Sequence, residues 1–284
     1  MPALVMTDAP LVSIVTPSYN QGQFIEETLQ SVRMQDYQNI EHIIIDGSST
    51  DDTLSVLRRY ESTYNMRWIS EPDKNHAEAL CKGFRQARGH ILAWLNSDDL
   101  YLPGAISQAV AAFREHPSAD LIYGDVIIID GEGEEIGRRR LTRMDAYDFL
   151  GQGNCLAQPA TFWTRDIYDR VGGIDSTYYF QMDLEYFIRV ASAGRLQHVR
   201  SWLAKIRIHP EGKMVKAEHI RRQELAELQQ RYMTTAGVRR LFYTRPFLLS
   251  RLFVHFALQG DLEYAGGKVW RRILDGQLFR ESRR

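Results

Sequence analysis

The sequence predicts an α/β domain with a mostly parallel central sheet flanked by helices, followed by a C-terminal helical extension. In the first half of the chain, short β-branched runs alternate with amphipathic stretches, which is typical of strands joined by covering helices. The 284 residues are 44% hydrophobic and 25% charged, enough for one large core. We expect the α/β domain at residues 1–212 and the helical extension at residues 213–284.

The sheet is predicted from four short apolar runs, which are residues 11–16, 40–45, 66–69 and 90–95. Apolar side chains recur at helical spacing in the three stretches between them, which are residues 24–34, 52–60 and 76–88. Residues 91–95 are apolar on both faces, as expected of a strand in the middle of a two-sided sheet. These patterns predict four successive strand–helix units.

The regular alternation ends after Pro103. A helix is predicted from there to about His116, and Gly194 is expected to close a later helix at residues 183–193. Further strands are predicted at residues 120–130, 155–164 and 196–208, with a hairpin loop at 131–134.

Bulk composition excludes several classes of protein. The net charge of −1 and the pI near 6.7 argue against a general nucleic-acid binder. Cys81 and Cys155 form neither a disulfide framework nor a C-x-x-C metal site, which favours reduced thiols in the cytoplasm. Residues 1–10 lack the features of a secretory signal. The longest apolar stretch, residues 246–258, is too short to span a bilayer.

Polar side chains follow all four predicted strands of the first half, at residues 17–20, 46–49, 70–73 and 96–99. Ligands of open parallel sheets bind at the carboxyl ends of the strands, so these side chains are expected around one site. Asp51 and Asp52 also have an ordinary interpretation, as turn residues or helix caps.

The adjacent pair Asp98 and Asp99 is the strongest signal for a metal. Two carboxylates after an apolar strand repel each other unless a cation or hydrogen-bond donors compensate them. A hard divalent ion fits, because Mg²⁺ takes one or two carboxylates and completes its shell with water and phosphate oxygens. The sequence contains no G-x-G-x-x-G after the first strand, no Walker motif and no H-E-x-x-H, which disfavours dinucleotide oxidoreductases, P-loop NTPases and zinc enzymes.

The chain resembles the inverting glycosyltransferases of family 2, which have the GT-A fold. The resemblance spans roughly residues 11–210 in the order and spacing of the family, and it is carried by residues 15–20, 44–51, 70–73, 95–99, 172–175 and 182–186. It implies transfer of a sugar from a UDP-, GDP- or dTDP-sugar to a hydroxyl group of a glycan or lipid-linked glycan, with Mg²⁺ or Mn²⁺ as cofactor. It also implies a place in bacterial surface-glycan biosynthesis.

The resemblance assigns roles to individual residues. Asp46 would contact the nucleotide base, Asp98 would lie near the ribose, and Asp99 would bind the metal, with His209 as a further ligand. The remaining nucleotide contacts would come from Pro17, Tyr19, Asn20, Ser48, Glu71 and Asp73.

On the acceptor side, Asp183 resembles the general base of the family, with Glu185 as the alternative if the register shifts, and Gln158 lies in a segment resembling the acceptor pocket. A carboxylate suits the deprotonation of an acceptor hydroxyl. The residue types alone leave a second interpretation of Asp183 open, because Asp at a helix start also caps exposed amides. His209 could likewise be an ordinary surface or core-edge histidine. The chain departs from the family pattern at residues 74–76 and at Cys81.

The C-terminal region is basic, with ten Arg and Lys against four Asp and Glu after residue 236. Two interpretations stay open: an amphipathic segment on an anionic membrane surface, or a helical cap or homo-oligomer contact. Two other functions also stay open, a catalytically inactive binding module and a sugar nucleotidyltransferase. The overall expectation is a cytoplasmic enzyme, with peripheral contact to the inner face of the membrane as one option and no nucleic-acid partner.

Overall fold

In the part of the protein that the structure describes, nine strands form a central mixed sheet. The computed structural model describes residues 9–146, 148–149, 156–212 and 218–235. In this part of the chain, helices flank a largely parallel sheet, which confirms the predicted α/β class.

The first four strands are parallel and lie in the order β3-β2-β1-β4. Their bounds are β1 Val12–Ser18, β2 Ile40–Asp46, β3 Met66–Ser70 and β4 Ile91–Trp94. The helices between them are α1 Ile25–Arg33, α2 Thr53–Tyr60 and α3 His76–Gln86. All seven elements were predicted to within two residues at each end, since β1, β2 and β4 are buried along their whole length and the helices have one apolar face.

The second half of the sheet continues as β4-β8-β6-β9-β5, with β7 paired to β6. Its strands are β5 Leu100–Tyr101, β6 Leu121–Ile129, β7 Glu135–Arg139, β8 Thr161–Thr164 and β9 Leu196–Arg207. The helices are α4 Ala105–Glu115, α5 Arg165–Val171, α6 Met182–Ala193 and α7 Glu218–Thr235. The antiparallel pairing of β6 with β7 confirms the hairpin predicted at residues 131–134.

One predicted strand needs correction, and two short elements were missed. The strand expected at residues 155–164 begins only at Thr161, because Gln158–Ala160 forms a 3₁₀ turn around Pro159. The two-residue strand β5 and the helix α5 were missed. Both are too short for their periodicity to be read from sequence.

Gly194 follows α6 as predicted, but its backbone is extended, with φ of −134°, rather than left-handed. A Cβ at Gly194 would lie 3.0 Å from Cβ of Asp120. Close packing between chain segments, rather than a left-handed turn, therefore favours glycine here.

Helix α7 packs against the α/β unit, since Leu228 is fully buried in the main hydrophobic core. The helix that follows the predicted boundary at residue 213 thus shares the core of the preceding residues. Residues 236–284, with the predicted basic amphipathic segment, lie outside the described part of the chain, as does Cys155. Among the helices that the structure describes, none combines the length and the apolar character needed to cross a membrane.

Candidate active site

The loops that follow β1 and β2 are bound to each other. Asn20 and Ser48 both have left-handed backbones, with φ of +51° and +64°. The Asn20 N–H donates to Ser49 Oγ at 2.7 Å, and Asn20 Oδ1 accepts from the Thr50 N–H at 2.9 Å. Non-glycine residues rarely adopt this conformation unless their surroundings hold them in it, and such positions concentrate at functional sites.

Asp46 ties the ends of β2 and β3 together. Its carboxylate is fully buried and accepts three hydrogen bonds. Oδ2 accepts from the Ser49 N–H at 2.9 Å and from Ser70 Oγ at 2.6 Å, while Oδ1 accepts from Ser49 Oγ at 2.5 Å. Hydrogen bonds to a charged acceptor are the stronger kind, so Asp46 organises these loops whether or not it also contacts a ligand.

Three loops converge at Gly47. A Cβ at this position would lie 3.4 Å from Cδ2 of Tyr19 and 3.5 Å from Oδ2 of Asp73. Tyr19 is 62% exposed, whereas Pro17 is buried in β1 opposite Ile45. The structure therefore brings the predicted nucleotide residues of the first three strand ends to one edge, with Tyr19 on the surface and Pro17 beneath it.

Lys82 pairs with both acids that follow β3. Its Nζ lies 2.8 Å from Oε1 of Glu71 and 2.6 Å from Oδ1 of Asp73. Burial raises the pKa of Asp73, and Lys82 offsets this only in part. Burial lowers the pKa of Lys82, but the two carboxylates outweigh it and leave that pKa raised. The sequence analysis missed Lys82, although its place on α3 directly after the acidic turn was a usable signal.

Asp98 and Asp99 differ sharply in their surroundings. Asp99 is 3% exposed, and both of its oxygens are occupied: Oδ1 accepts from the Arg207 N–H at 3.0 Å and Oδ2 from Asn96 Nδ2 at 2.9 Å. Burial and the neighbouring Asp98 carboxylate raise the pKa of Asp99 well above its usual value. The Asp98 side chain is 23% exposed. This arrangement favours Asp98 over the predicted Asp99 as the carboxylate that a ligand or metal reaches.

His209 lies beside Asp98. Its Nε2 is 3.1 Å from Asp98 Oδ2, and its ring packs against Phe24 with the centroids 4.5 Å apart. The pair arises because β5, which follows Asp99, runs antiparallel to β9, which leads to His209. Two residues that are 111 positions apart in sequence thus meet at the sheet edge.

The Asp98 and His209 pair fits a divalent cation. Adjacent ligands of an octahedral ion at about 2.1 Å are about 3 Å apart, close to the observed O···N separation. In this structure Asp98 Oδ2 accepts from Nε2 of His209, while Nδ1 is buried without a hydrogen-bond partner among the described residues; a cation would take the place of the proton between Nε2 and Oδ2. No group of three or more His, Cys, Asp or Glu side chains gathers around one point in the described ranges.

Arg207 holds the backbone of this site in place. Its side chain is fully buried, donates from Nε to the Asp98 carbonyl at 3.0 Å and pairs with Glu27 at 2.7 Å. Its guanidinium also lies over the Phe24 ring, 4.9 Å from the centroid. The sequence analysis missed Arg207, whose position two residues before His209 was the only signal.

Gln158 holds the backbone at the same edge of the sheet in place. Its Nε2 donates to the Trp94 carbonyl, and its Oε1 accepts from Asn96 Nδ2 at 3.2 Å. Only 7% of Gln158 is exposed. These bonds join the 3₁₀ turn to the end of β4, so contact between Gln158 and an acceptor stays a prediction that its burial does not favour.

Asp183 and Glu185 lie in the first turn of α6. Asp183 is half-buried, and its Oδ1 accepts from the Leu184 N–H at 2.7 Å. Glu185 is 1% exposed and is held by Arg189 at 2.5 Å and by the Tyr232 hydroxyl at 2.6 Å. Glu185 therefore joins helices α6 and α7, which argues against its predicted acceptor-side role and leaves Asp183 as the candidate base.

The departures from the family pattern have structural roles. Asn75 caps α3 by accepting from the Glu78 N–H at 2.9 Å, and its Nδ2 donates to the Ser176 carbonyl at 3.1 Å. This second bond brings the loop that leads to α6 to the carboxyl edge of the sheet. Cys81 likewise donates to the Ile174 carbonyl at 3.3 Å.

Comparisons with known proteins agree on one family. A sequence model of the family described as glycosyl transferase family 2 matches residues 13–171, more than half of the chain. An uncharacterized glycosyltransferase of Mycobacterium tuberculosis (strain CDC 1551 / Oshkosh) is 31% identical over 197 residues, which cover 66% of this chain and 71% of the relative.

Two solved structures share the fold. TarS residues 1–349 of S. aureus, in complex with UDP-GlcNAc, superposes with a TM-score of 0.61 at 15% identity, over 94% of this chain and 92% of that chain. The mannosyltransferase PcManGT from Pyrobaculum calidifontis, in complex with GDP-Man and Mn²⁺, superposes with a TM-score of 0.59 at 19% identity, over 98% and 84%. At these identities, the likeness concerns the fold alone.

Proposed function

Because the chain belongs to glycosyl transferase family 2 and has the GT-A fold, we propose that it transfers a sugar from a nucleotide-diphosphate sugar to a hydroxyl group of a glycan or lipid-linked glycan, with inversion at the anomeric carbon. The observation that carries the proposal is the pairing of Asp98 with His209 at 3.1 Å. It lies at the edge where the loops after β1, β2 and β3 converge.

The donor nucleotide would bind across those converging loops. The exposed ring of Tyr19 offers an apolar face for a base, and Asp46 and Ser48 set the shape of the loop beneath it. Lys82 offsets the charge of Glu71 and Asp73, which lowers their repulsion toward an anionic diphosphate. The UDP-GlcNAc and GDP-Man named for the two structural relatives support a donor of this class.

Asp98 and His209 would hold a divalent cation, Mg²⁺ or Mn²⁺, beside the diphosphate. When bound, such a cation stabilises the negative charge that develops on the departing nucleoside diphosphate. The buried Asp99 would keep Asp98 in place, since it accepts the Arg207 N–H while Arg207 Nε binds the Asp98 carbonyl. The Mn²⁺ named for PcManGT supports this assignment.

Asp183 would accept the proton of the acceptor hydroxyl. A hydroxyl deprotonated on the side of the sugar opposite the leaving group attacks the anomeric carbon in one step, which inverts its configuration. Glu185 is neutralised by Arg189, bound by Tyr232 and almost fully buried, whereas Asp183 in the same turn of α6 is only half-buried, which supports Asp183 as the base.

A nucleotide screen with a matched pair of variants tests the donor and metal site. Binding of UDP, GDP and dTDP to the full chain is measured by calorimetry with Mn²⁺, with Mg²⁺ and with EDTA. The wild type should bind at least one nucleotide in a metal-dependent way, and Asp98→Asn should lose that dependence. Asp166→Asn is the control, because Asp166 is exposed at the start of α5, near the opposite end of β4.

The outcome is read from the ratio of the affinities with and without metal. Equal ratios in the wild type and in Asp98→Asn would remove Asp98 from the metal site. A product assay separates the remaining functions: a transferase releases nucleoside diphosphate from a sugar nucleotide, a nucleotidyltransferase releases pyrophosphate from a triphosphate, and a binding module releases neither.

A further inference from the structure

Helix α7 holds the backbone segment that leads into helix α6. The Glu224 carboxylate on α7 accepts three backbone N–H groups, from Tyr179 at 2.7 Å and from Phe180 and Gln181 at 2.8 Å each. Gln181 is the N-cap of α6 and Tyr179 and Phe180 precede it, so these N–H groups lie just before the first turn, where a negative charge also interacts favourably with the helix dipole. Gln181, the residue at the N-cap of α6, makes no side-chain capping bond itself. Glu224 therefore holds, from a different helix, the backbone that enters α6.

The same helix holds the segment at further points. Gln181 Nε2 donates to the Arg221 carbonyl at 3.1 Å, and the Tyr232 hydroxyl donates to Glu185 at 2.6 Å. These contacts lie on both sides of Asp183. The buried Leu228 anchors the helix in the main core between them.

We propose that Glu224 is a positioning residue that sets the orientation of Asp183 toward the acceptor. This inference rests on the proposed role of Asp183 as general base. The backbone of residues 179–181 sets the direction in which the first turn of α6 begins, and Asp183 follows two residues later. Three charge-assisted hydrogen bonds hold that backbone, so their loss frees the segment that enters α6 and lets the carboxylate of Asp183 move.

The effect should fall on turnover and spare donor binding. A misplacement of about 1 Å in a reacting group costs about 10²-fold in rate. The proposed donor and metal residues Asp46, Asp98 and His209 lie on β2 and beside β4 and β9, and their hydrogen bonds do not involve α7. A positioning residue thus predicts a lower kcat with an unchanged nucleotide affinity.

The test compares Glu224→Gln with Glu227→Gln in the full chain. Glu227 is exposed on the same helix and bonds to Gln223, so it is a matched control. Nucleoside diphosphate release is measured with the donor found in the nucleotide screen and with alkyl glycosides as acceptors, next to calorimetry of the free nucleotide. We expect Glu224→Gln to lower kcat by about 10- to 100-fold, with nucleotide affinity within twofold of wild type, and Glu227→Gln to match wild type. A wild-type kcat in Glu224→Gln, or an equal loss of nucleotide affinity, overturns the inference.

Hydrogen exchange provides a readout that needs no acceptor. The amides of residues 179–181 should exchange faster in Glu224→Gln than in wild type, and unchanged exchange overturns the inference. If Glu224→Gln does not fold, Glu224→Asp takes its place, because it keeps the charge and shortens the reach by one methylene. Its kcat should be intermediate, and a wild-type value again overturns the inference.

A double variant separates this inference from the proposed function. If Glu224 acts through Asp183, adding Glu224→Gln to Asp183→Asn should lower kcat no further, whereas independent effects would multiply. Multiplied effects overturn the inference. A wild-type rate in Asp183→Asn refutes the proposed base itself. A slow Asp183→Asn beside a wild-type Glu224→Gln refutes only the positioning role.

Discussion

Replacing Asp46 by Ala should destabilise the protein strongly, because its buried carboxylate ties two strand ends together. Three donors from Ser49 and Ser70 would lose their acceptor. Hydrogen bonds to charged groups contribute about 1.5–3 kcal/mol each. The desolvation of the buried carboxylate opposes them by several kcal/mol. The net loss should be on the order of 3 kcal/mol, which in a chain of this size lowers Tm by roughly 6–12 °C.

Urea unfolding and thermal melts of Asp46→Ala and Asp52→Ala measure this effect. Asp52 is exposed next to α2, makes no side-chain capping bond, and should change stability by less than about 0.5 kcal/mol. Equal stability of the two variants would refute the reasoning. Ser70→Ala removes one donor and keeps the carboxylate, so a base contact by Asp46 predicts that nucleotide affinity survives in Ser70→Ala and is lost in Asp46→Ala.

Two further predictions concern the burial and the pairing of ionisable side chains. Burial lowers the pKa of His42 to about 3, so below pH 6.5 the unfolded state binds more protons than the folded state, and the free energy of unfolding should fall by about 2 kcal/mol between pH 7 and pH 5. Urea unfolding at both pH values should show a smaller fall in His42→Gln than in wild type, and equal falls would contradict this origin. Lys82→Met should weaken binding of the nucleoside diphosphate about tenfold, because the charges of Glu71 and Asp73 then repel it without compensation. Lys74→Met, at an exposed position, should leave that affinity unchanged. Equal affinities of the two variants by calorimetry would contradict the proposed role of Lys82.

The elements of the first half were predictable because their signals are local. The β2 residues 40–46 are all buried, and a run of apolar side chains bounded by polar turns identifies such a strand without tertiary information. Parallel strands also place their carboxyl ends at one edge, so the convergence of the loops after β1, β2 and β3 followed from the strand order alone. The shorter elements β5 and α5 were missed because two or seven residues carry too little periodicity.

Roles within the site were less predictable. Asp98 and Asp99 are neighbours of the same type, and successive residues point in different directions. Which of them faces His209 depends on the pairing of β5 with β9, over 100 positions away in sequence. Glu185 is a carboxylate and was therefore a candidate base, but the Tyr232 hydroxyl and the Arg189 guanidinium bind its oxygens.

The sequence by itself determined the fold class, the family and the edge of the sheet at which the polar residues gather, because hydrophobic periodicity and ordered motifs are properties of short stretches. Only the tertiary structure decided that Asp98 is the carboxylate beside His209, that Lys82 offsets the two acids after β3, and that Glu224 holds the backbone before the helix of Asp183. Each of these contacts joins side chains from different elements, and its geometry exists only once those elements have packed together.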